Sequence, residues 1–380
     1  MTILFDDNDL HLNFAPLTLT RPVSELRFGI LTISESWLTE LKPTSFGYKT
    51  ENYLQEKFQQ AFATDIVIIA GNIKPTKQII DLVKNLKVGE RLEINERWVA
   101  TKGIESVKTI SKSADDFLYI ENCWDLFQKN DLAIQSDFNL LTNGKTSALL
   151  SKTNQILGQH PIFLESGAKV ECAILNATDG PIYVGKNAEI MEGSMIRGPF
   201  ALGESAVVKM GTKIYGATTI GPFCKVGGEI SNCLFQSYSN KGHDGFLGNS
   251  LIGEWCNFGA DSNTSNLMNT YSQVKIYSYK TNQLEQRDIV FCGLIMGDHS
   301  KTGINSMFNT ATVVGVSSNI FGAGFPNKYV PSFTWGGAEN STSFKFDKAI
   351  EVATNMMKRR NLELTSKDKK ILQHLFELAQ

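Results

Sequence analysis

Residues 184–226 read VGKNAEIMEGSMIRGPFALGESAVVKMGTKIYGATTIGPFCKV, and an aliphatic side chain falls on every sixth position: Val184, Ile190, Ile196, Leu202, Val208, Ile214, Ile220 and Val226. With about one residue in four being Ile, Leu, Val or Phe, eight successive hits arise by chance about once in sixty thousand trials, so the period belongs to the fold. Four places after each aliphatic the residue is usually small: Ala188, Ser194, Ala206, Thr212, Thr218, Cys224, Ser250, Cys256, Ser262, Ser306, Thr312 and Ser318. This spacing predicts a parallel β-helix built of hexapeptide repeats. Three short strands make one triangular coil, so each face needs one inward aliphatic per six residues. The small residues fit beside the corners. Each coil buries its core against the coils above and below, which makes the array quasi-one-dimensional. Handedness does not follow from spacing.

The beat resumes at Phe246, Ile252 and Phe258, and again at Met296, Phe308, Val314 and Ile320, with Thr302 taking one step. Two interruptions are expected to matter. Around GGEISN, between Val226 and Phe246, the register slips by two residues. Between Thr264 and Met296 lies a stretch too long for one coil, expected to leave the helix as an arm.

Outward from the repeat, the texture changes on both sides. Residues 1–155 mix strand and helix signals. TILF reads as a strand; TDIVIIAGN is an apolar β-branched run of the buried parallel-sheet type. KPTKQIIDLVKNL follows with apolar Ile79, Ile80, Leu82, Val83 and Leu86 at helical spacing. Strand followed by helix predicts an α/β domain. Residues 156–335 form the β-helix. Residues 336–380 contain two amphipathic stretches, the second opening on a Thr/Ser cap, and are expected to form a helical extension that covers the end of the β-helix or packs on a neighbour.

Formal net charge is −2 over 380 residues, which offers no electrostatic case for nucleic-acid or membrane binding. Cys123, Cys172, Cys224, Cys233, Cys256 and Cys292 show no CxxC pair and read as buried thiols of a reducing compartment, not a disulfide frame or zinc site. The opening MTILFDDNDLHL has no basic and apolar leader, and no apolar run approaches the length of a membrane span, so a cytoplasmic location is expected.

NKGHDGFLGNSLIGEWCNFGADSNTSN, residues 240–266, resembles the acetyltransferase domain of the bifunctional glucosamine-1-phosphate acetyltransferase / N-acetylglucosamine-1-phosphate uridylyltransferase family. The matching positions are Lys241, Gly242, His243, Leu247, Gly248, Ile252, Gly253, Asn257, Gly259, Ala260 and Asn266. MGDHSKTGINSMFNTATVVG looks like the following coils of archaeal members, and LTLTRPVSELRFGILTISESW looks like an alternative bacterial branch. The resemblance implies a left-handed β-helix and a homotrimer. It also implies acetyl transfer from acetyl-CoA to the amine of an amino-sugar-1-phosphate. His243 is then the general base, a role that suits an imidazole near neutral pH. Asn257 and Asn266 match asparagines that contact sugar and base, although asparagines at β-helix corners also serve as turn residues. Ala260 falls beside the expected coenzyme site. Lys225, Lys241 and Lys275 are the candidates for the sugar phosphate, Lys225 first. The family's tyrosine after the histidine is Phe246 here.

In the first domain no Gly-rich loop follows TILF. Pro16, Leu17, Thr18 and Arg21-Pro22 resemble the later part of the nucleotidyltransferase opening motif, which implies a nucleotide contact for Arg21 and, if this domain is active, Mg2+. Asp6 and Asp7 could bind that metal, though capping a turn is the simpler use. Three functions stand: acetyl-CoA-dependent N-acetylation on the way to UDP-N-acetylglucosamine and cell-wall precursors; a sugar-1-phosphate nucleotidyltransferase using UTP or dTTP, its β-helix only structural or regulatory; and a non-enzymatic sugar-nucleotide binding scaffold.

Overall fold

The computed structural model describes residues 1–115 and 117–380. Strands Thr2–Asp6, Ser45–Lys49 and Ile66–Ala70 run parallel in a six-stranded sheet, to which Arg97–Lys102 adds antiparallel. Helices α1 (Ile33–Leu41), α2 (Lys77–Lys84), α3 (Asp125–Gln128) and α4 (Asn130–Thr142) complete the α/β part. Thr32 caps α1 in a capping box with Glu35, and Thr76 caps α2.

From Gln155 the chain winds as a parallel β-solenoid, the predicted fold class. Its second face is a nine-stranded parallel sheet running from Ile162–Leu164 to Tyr329–Val330. Val184, Ile190, Ile196, Leu202, Val208, Ile214, Ile220 and Val226 are all buried inside, as are the small residues four places on from Ala188 to Ser318. The second face also buries its outer surface. Phe163, Tyr183 and Ala201 pack on Ile30, Ile134 and Phe138, and Leu234, Leu251, Ile295 and Val313 join the core of the α/β part. The stack is therefore not sustained by neighbouring coils alone.

The six-residue step fails where the spacing places its resumption. Glu229↔Phe246 and Ile230↔Leu247 are the paired residues, and Leu247, not Phe246, points into the core. The corners at Gly227–Gly228 and Ser231–Cys233 are short, so the inward column passes Ile230 and Phe235 before regaining its period. On the third face the inward position beside Val226 is Lys241.

The stretch between Thr264 and Met296 does leave the helix, as an antiparallel hairpin, Lys275–Ser278 with Gln283–Gln286. Its Val274, Ile276, Ile289 and Cys292 pack on the α/β part. Helices α5 (Phe346–Lys358) and α6 (Ser366–Leu378) form the extension, α6 capped by Thr365. They do not sit over the end of the solenoid. They lie along its side, packing on Trp255, Val316 and Phe333 at successive corners and on Leu54 of the first part. No helix among the described residues is long and apolar enough to cross a membrane.

Candidate active site

His243 stands at the corner between the third and first faces, exposed to solvent, between strands Asn240–Lys241 and Phe246–Gly248. The corner is narrow for a backbone reason. Gly245 has φ +113°, and a Cβ there would lie 2.3 Å from the carbonyl oxygen of Ser262. Gly242 instead faces open space, so the side next to His243 is free for a ligand. The backbone N–H groups of Gly242, His243 and Gly245 donate to no other group among the described residues.

What holds this corner is Lys241. Its side chain is 2% exposed, in a core column otherwise filled by Val208, Val226 and Phe258. Its Nζ donates to the carbonyl oxygens of Gly227 (3.1 Å), His243 (2.7 Å) and Asp244 (3.3 Å). Burial pulls its pKa down to about 8. With its donors committed inward, this ammonium is not positioned as a surface contact for a sugar phosphate.

Lys225 pairs in register with Asn240 on the outer surface of the third face, and Asn240 in turn bridges Asn257. The Asn257 side chain has no hydrogen-bond partner among the described residues and is half-buried beside the His243 corner. Ala260 lies at that same corner one coil on, where Asp261 N–H donates to the Asp244 carbonyl (3.1 Å). Lys225 and Asn257 thus lie on the third face, and His243 and Ala260 at the corner where that face ends.

Asn266 is not at that corner. It lies at the far edge of the first face, where its Nδ2 donates to Asn249 Oδ1 (2.8 Å). Asn249 Nδ2 reaches the amide oxygen of Asn232 (2.9 Å), oriented so that Asn232 also donates to the carbonyls of Phe127 and Ala217. This ladder of corner asparagines is the turn role that such residues fill.

Arg21 is also elsewhere. It is buried, its Nη2 bound to Asp298 and 3.2 Å from Glu254, both on the β-helix. It bolts the first part to the solenoid, its guanidinium committed to carboxylates of the β-helix. At the end of the first strand Asp7 accepts from the Val23 N–H (2.8 Å), from His11 Nδ1 (3.0 Å) and from Thr50, while Asp6 accepts from the Asn8 N–H (2.9 Å) and pairs with Lys49 (2.8 Å). Both carboxylates cap local structure, the simpler of the two expected uses. The cavity near this edge, between Asn13, Trp124, Tyr279 and Arg287, measures about 230 Å³, below the ~300–1,000 Å³ usual for ligand pockets.

Asn240 and Lys209 were not singled out in the sequence. Lys225, Asn240 and Asn257 are separated by 15 and then 17 residues, so a strict coil length does not align them.

An α/β domain of nucleotidyltransferase type joined to a hexapeptide β-helix defines the class of protein. Residues 2–146 match the family model described as sugar nucleotidyl transferase. The chain is 34% identical over 87 residues to the bifunctional protein GlmU of Methanocaldococcus jannaschii, a match that covers 23% of this chain and 21% of the relative. It thus spans about a fifth of that relative's length. Among solved structures, the polySia-specific acetyltransferase NeuO shares 15% identity at a TM-score of 0.28, covering 51% of this chain and 87% of its own. An Arabidopsis UDP-N-acetylglucosamine acyltransferase shares 14% at 0.29, covering 59% and 95%. Neither superposition is close enough to bear on function.

Proposed function

We propose that the chain is a transferase that moves an acetyl group from acetyl-CoA to the amine of an amino-sugar-1-phosphate, glucosamine-1-phosphate foremost, at the His243 corner. The observation that carries this reading is an exposed, unpartnered histidine on a corner fixed from beneath by Lys241. In the reaction the neutral amine nitrogen forms a bond to the thioester carbonyl carbon and the carbonyl oxygen gains the charge. His243 takes the proton released by nitrogen. The free N–H groups of the Gly242–Gly245 corner are suited to the oxyanion. As the carbon–sulfur bond breaks, the thiolate leaves and receives that proton from the imidazolium. Asn257 offers donor and acceptor to sugar hydroxyls, Lys225 a cation to the phosphate, and Ala260 a small wall for the coenzyme.

Such a product feeds UDP-N-acetylglucosamine and cell-wall precursor synthesis in the cytoplasm, a setting that agrees with buried free thiols at Cys123, Cys224, Cys233, Cys256 and Cys292; Cys172, expected to be buried with them, is exposed at a corner. A homotrimer agrees with exposed Met210 and Ile304, 71% and 72% accessible, on the corner that carries His243. The α/β part is then a scaffold, the carboxylates at the end of its first strand being taken up by Val23, His11 and Lys49. Coenzyme A release with glucosamine-1-phosphate tests the reading: His243→Ala is expected to lose about 10²–10⁴-fold in kcat, and equal rates would remove His243 from the chemistry. Pyrophosphate release from UTP or dTTP that survives His243→Ala would instead favour a nucleotidyltransferase.

A further inference from the structure

The helical extension touches the third face through its first helix. Helix α5 ends at Lys358, and Arg360 just beyond it reaches the solenoid wall. Arg360 Nη2 lies 3.4 Å from the Phe223 carbonyl oxygen and 3.3 Å from Asn240 Oδ1. Asn240 is the residue paired with Lys225, so guanidinium and ammonium share one patch. Lys209 joins from the coil before. Its Cβ lies 3.3 Å from the point where a Gly227 Cβ would stand, and the carbonyl of Gly242, next to His243, lies 2.6 Å from that point.

None of these cations forms an ion pair with a carboxylate among the described residues. Burial, then Arg360, Lys209 and Arg359, all push the Lys225 ammonium toward giving up its proton. Cations gathered without a counter-charge repel one another, and a bound polyanion reverses that sign. The planar fork of arginine matches phosphate oxygens.

We propose that Arg360, just beyond the end of α5, completes a phosphate-binding site with Lys209 and Lys225 on the third face. The extension thereby serves as a wall of the site as well as a brace on the fold. That the phosphate belongs to a substrate of acetyl transfer rests on the function proposed above; the anion site itself does not. The phosphate could be that of the amino sugar or those of coenzyme A.

The test begins with inorganic pyrophosphate titrated calorimetrically into the full chain at low ionic strength. Binding to the wild type is expected, with Arg360→Gln and Lys225→Gln each weakening it about tenfold or more and Arg360→Lys recovering part of the loss. Thermal melting without ligand checks that α5 stays docked, and Lys225→Gln, on a strand surface, does not depend on that docking. A wild type that binds no pyrophosphate, or variants that bind it equally well, would overturn the proposal. Kinetics then separate the sources: a raised KM for glucosamine-1-phosphate in Arg360→Gln assigns the sugar phosphate. A raised KM for acetyl-CoA that 3′-dephospho-acetyl-CoA does not share assigns the coenzyme. Pyrophosphate binding as expected with no coenzyme A release would leave the site standing and sink acetyl transfer.

Discussion

Lys241 Nζ lies 2.7 Å from the carbonyl oxygen of His243, so a residue in the hydrophobic core holds the backbone of the residue proposed for the chemistry. Replacing a buried charge by an apolar chain of similar volume is often neutral or stabilising. Lys241→Met should therefore fill the column beside Val226 with little change in Tm, while the carbonyls at Gly227, His243 and Asp244 lose their donor. The expected result is kcat down by about tenfold or more, since small misplacements of a catalytic group are costly, with KM nearly unchanged. Wild-type kcat in this variant would show that Lys241 only fills space.

The same lysine makes a pH prediction. Its folded pKa, about 8 through burial, lies below the ~10.4 of an unfolded lysine. The penalty for a buried ammonium is in full force below pH 8. Between about pH 8 and 10 the unfolded chain holds a proton that the folded chain has released, so stability rises with pH. Lys301, also pulled down to about 8 by burial, acts with the same sign. The buried thiols Cys123, Cys224, Cys233, Cys256 and Cys292, raised by burial, act with the opposite sign from about pH 8.5, and the buried tyrosines Tyr48 and Tyr53 join them above about pH 10. The Lys241 contribution is therefore read as a difference: from about pH 7.5 to 9.5 the unfolding free energy of the wild type, from denaturant titration, should rise relative to that of Lys241→Met, whatever the common slope. Parallel profiles would contradict the assignment.

Lys241 also shows where the sequence stops being legible. The period of six is readable from Val184 to Val226 because an aliphatic inside and a small residue at the corner are each a local requirement. It blurs once corners shorten, because Ile230, Phe235 and Leu247 keep their inward places only through pairing with the previous coil. A lysine in a core column breaks the hydrophobic pattern outright, and only the carbonyls it meets explain it. The burial of the second face beneath the α/β part was hidden for a similar reason: Tyr183, Leu234 and Leu251 read as ordinary strand residues until their partners are known.

Arg21 and Asp298 join two parts of the chain that are separate in sequence. Asp298 also accepts from Thr20 Oγ1 (2.7 Å) and the Glu254 N–H (2.8 Å), so its carboxylate is fully used. Asp298→Asn leaves Arg21 buried opposite Glu254 alone. Losing one member of a buried pair costs about 3–5 kcal/mol, measurable by denaturant unfolding, and Arg21→Met with Asp298→Leu should cost less than the single change. A loss below about 1 kcal/mol, the range of exposed pairs, would mean that this bolt is solvated. Acetyl transfer per folded molecule should persist, because the pair lies at a different corner from His243.

Asn257 and Asn266 carry equal weight in the sequence motif but unequal positions in the structure, and substitution should separate them. Asn257 has no side-chain partner, so Asn257→Ala removes nothing from the fold; its Tm should hold while KM for the sugar phosphate rises several-fold, consistent with the loss of about 1 kcal/mol per neutral hydrogen bond. Asn266 ends the ladder through Asn249 to Asn232. Asn266→Ala leaves a half-buried Asn249 oxygen without its donor, and Gly248 beneath it loses the neighbour that packs on it. The expected result is a Tm lowered by a few degrees, in keeping with about 1 kcal/mol, and an unchanged KM. Motif spacing could not distinguish the two, because it counts residues along the chain, whereas the corner on which an asparagine falls depends on how many residues each turn omits. A KM effect from Asn266→Ala with Tm unchanged would return that residue to the site and require the ligand to span the whole first face.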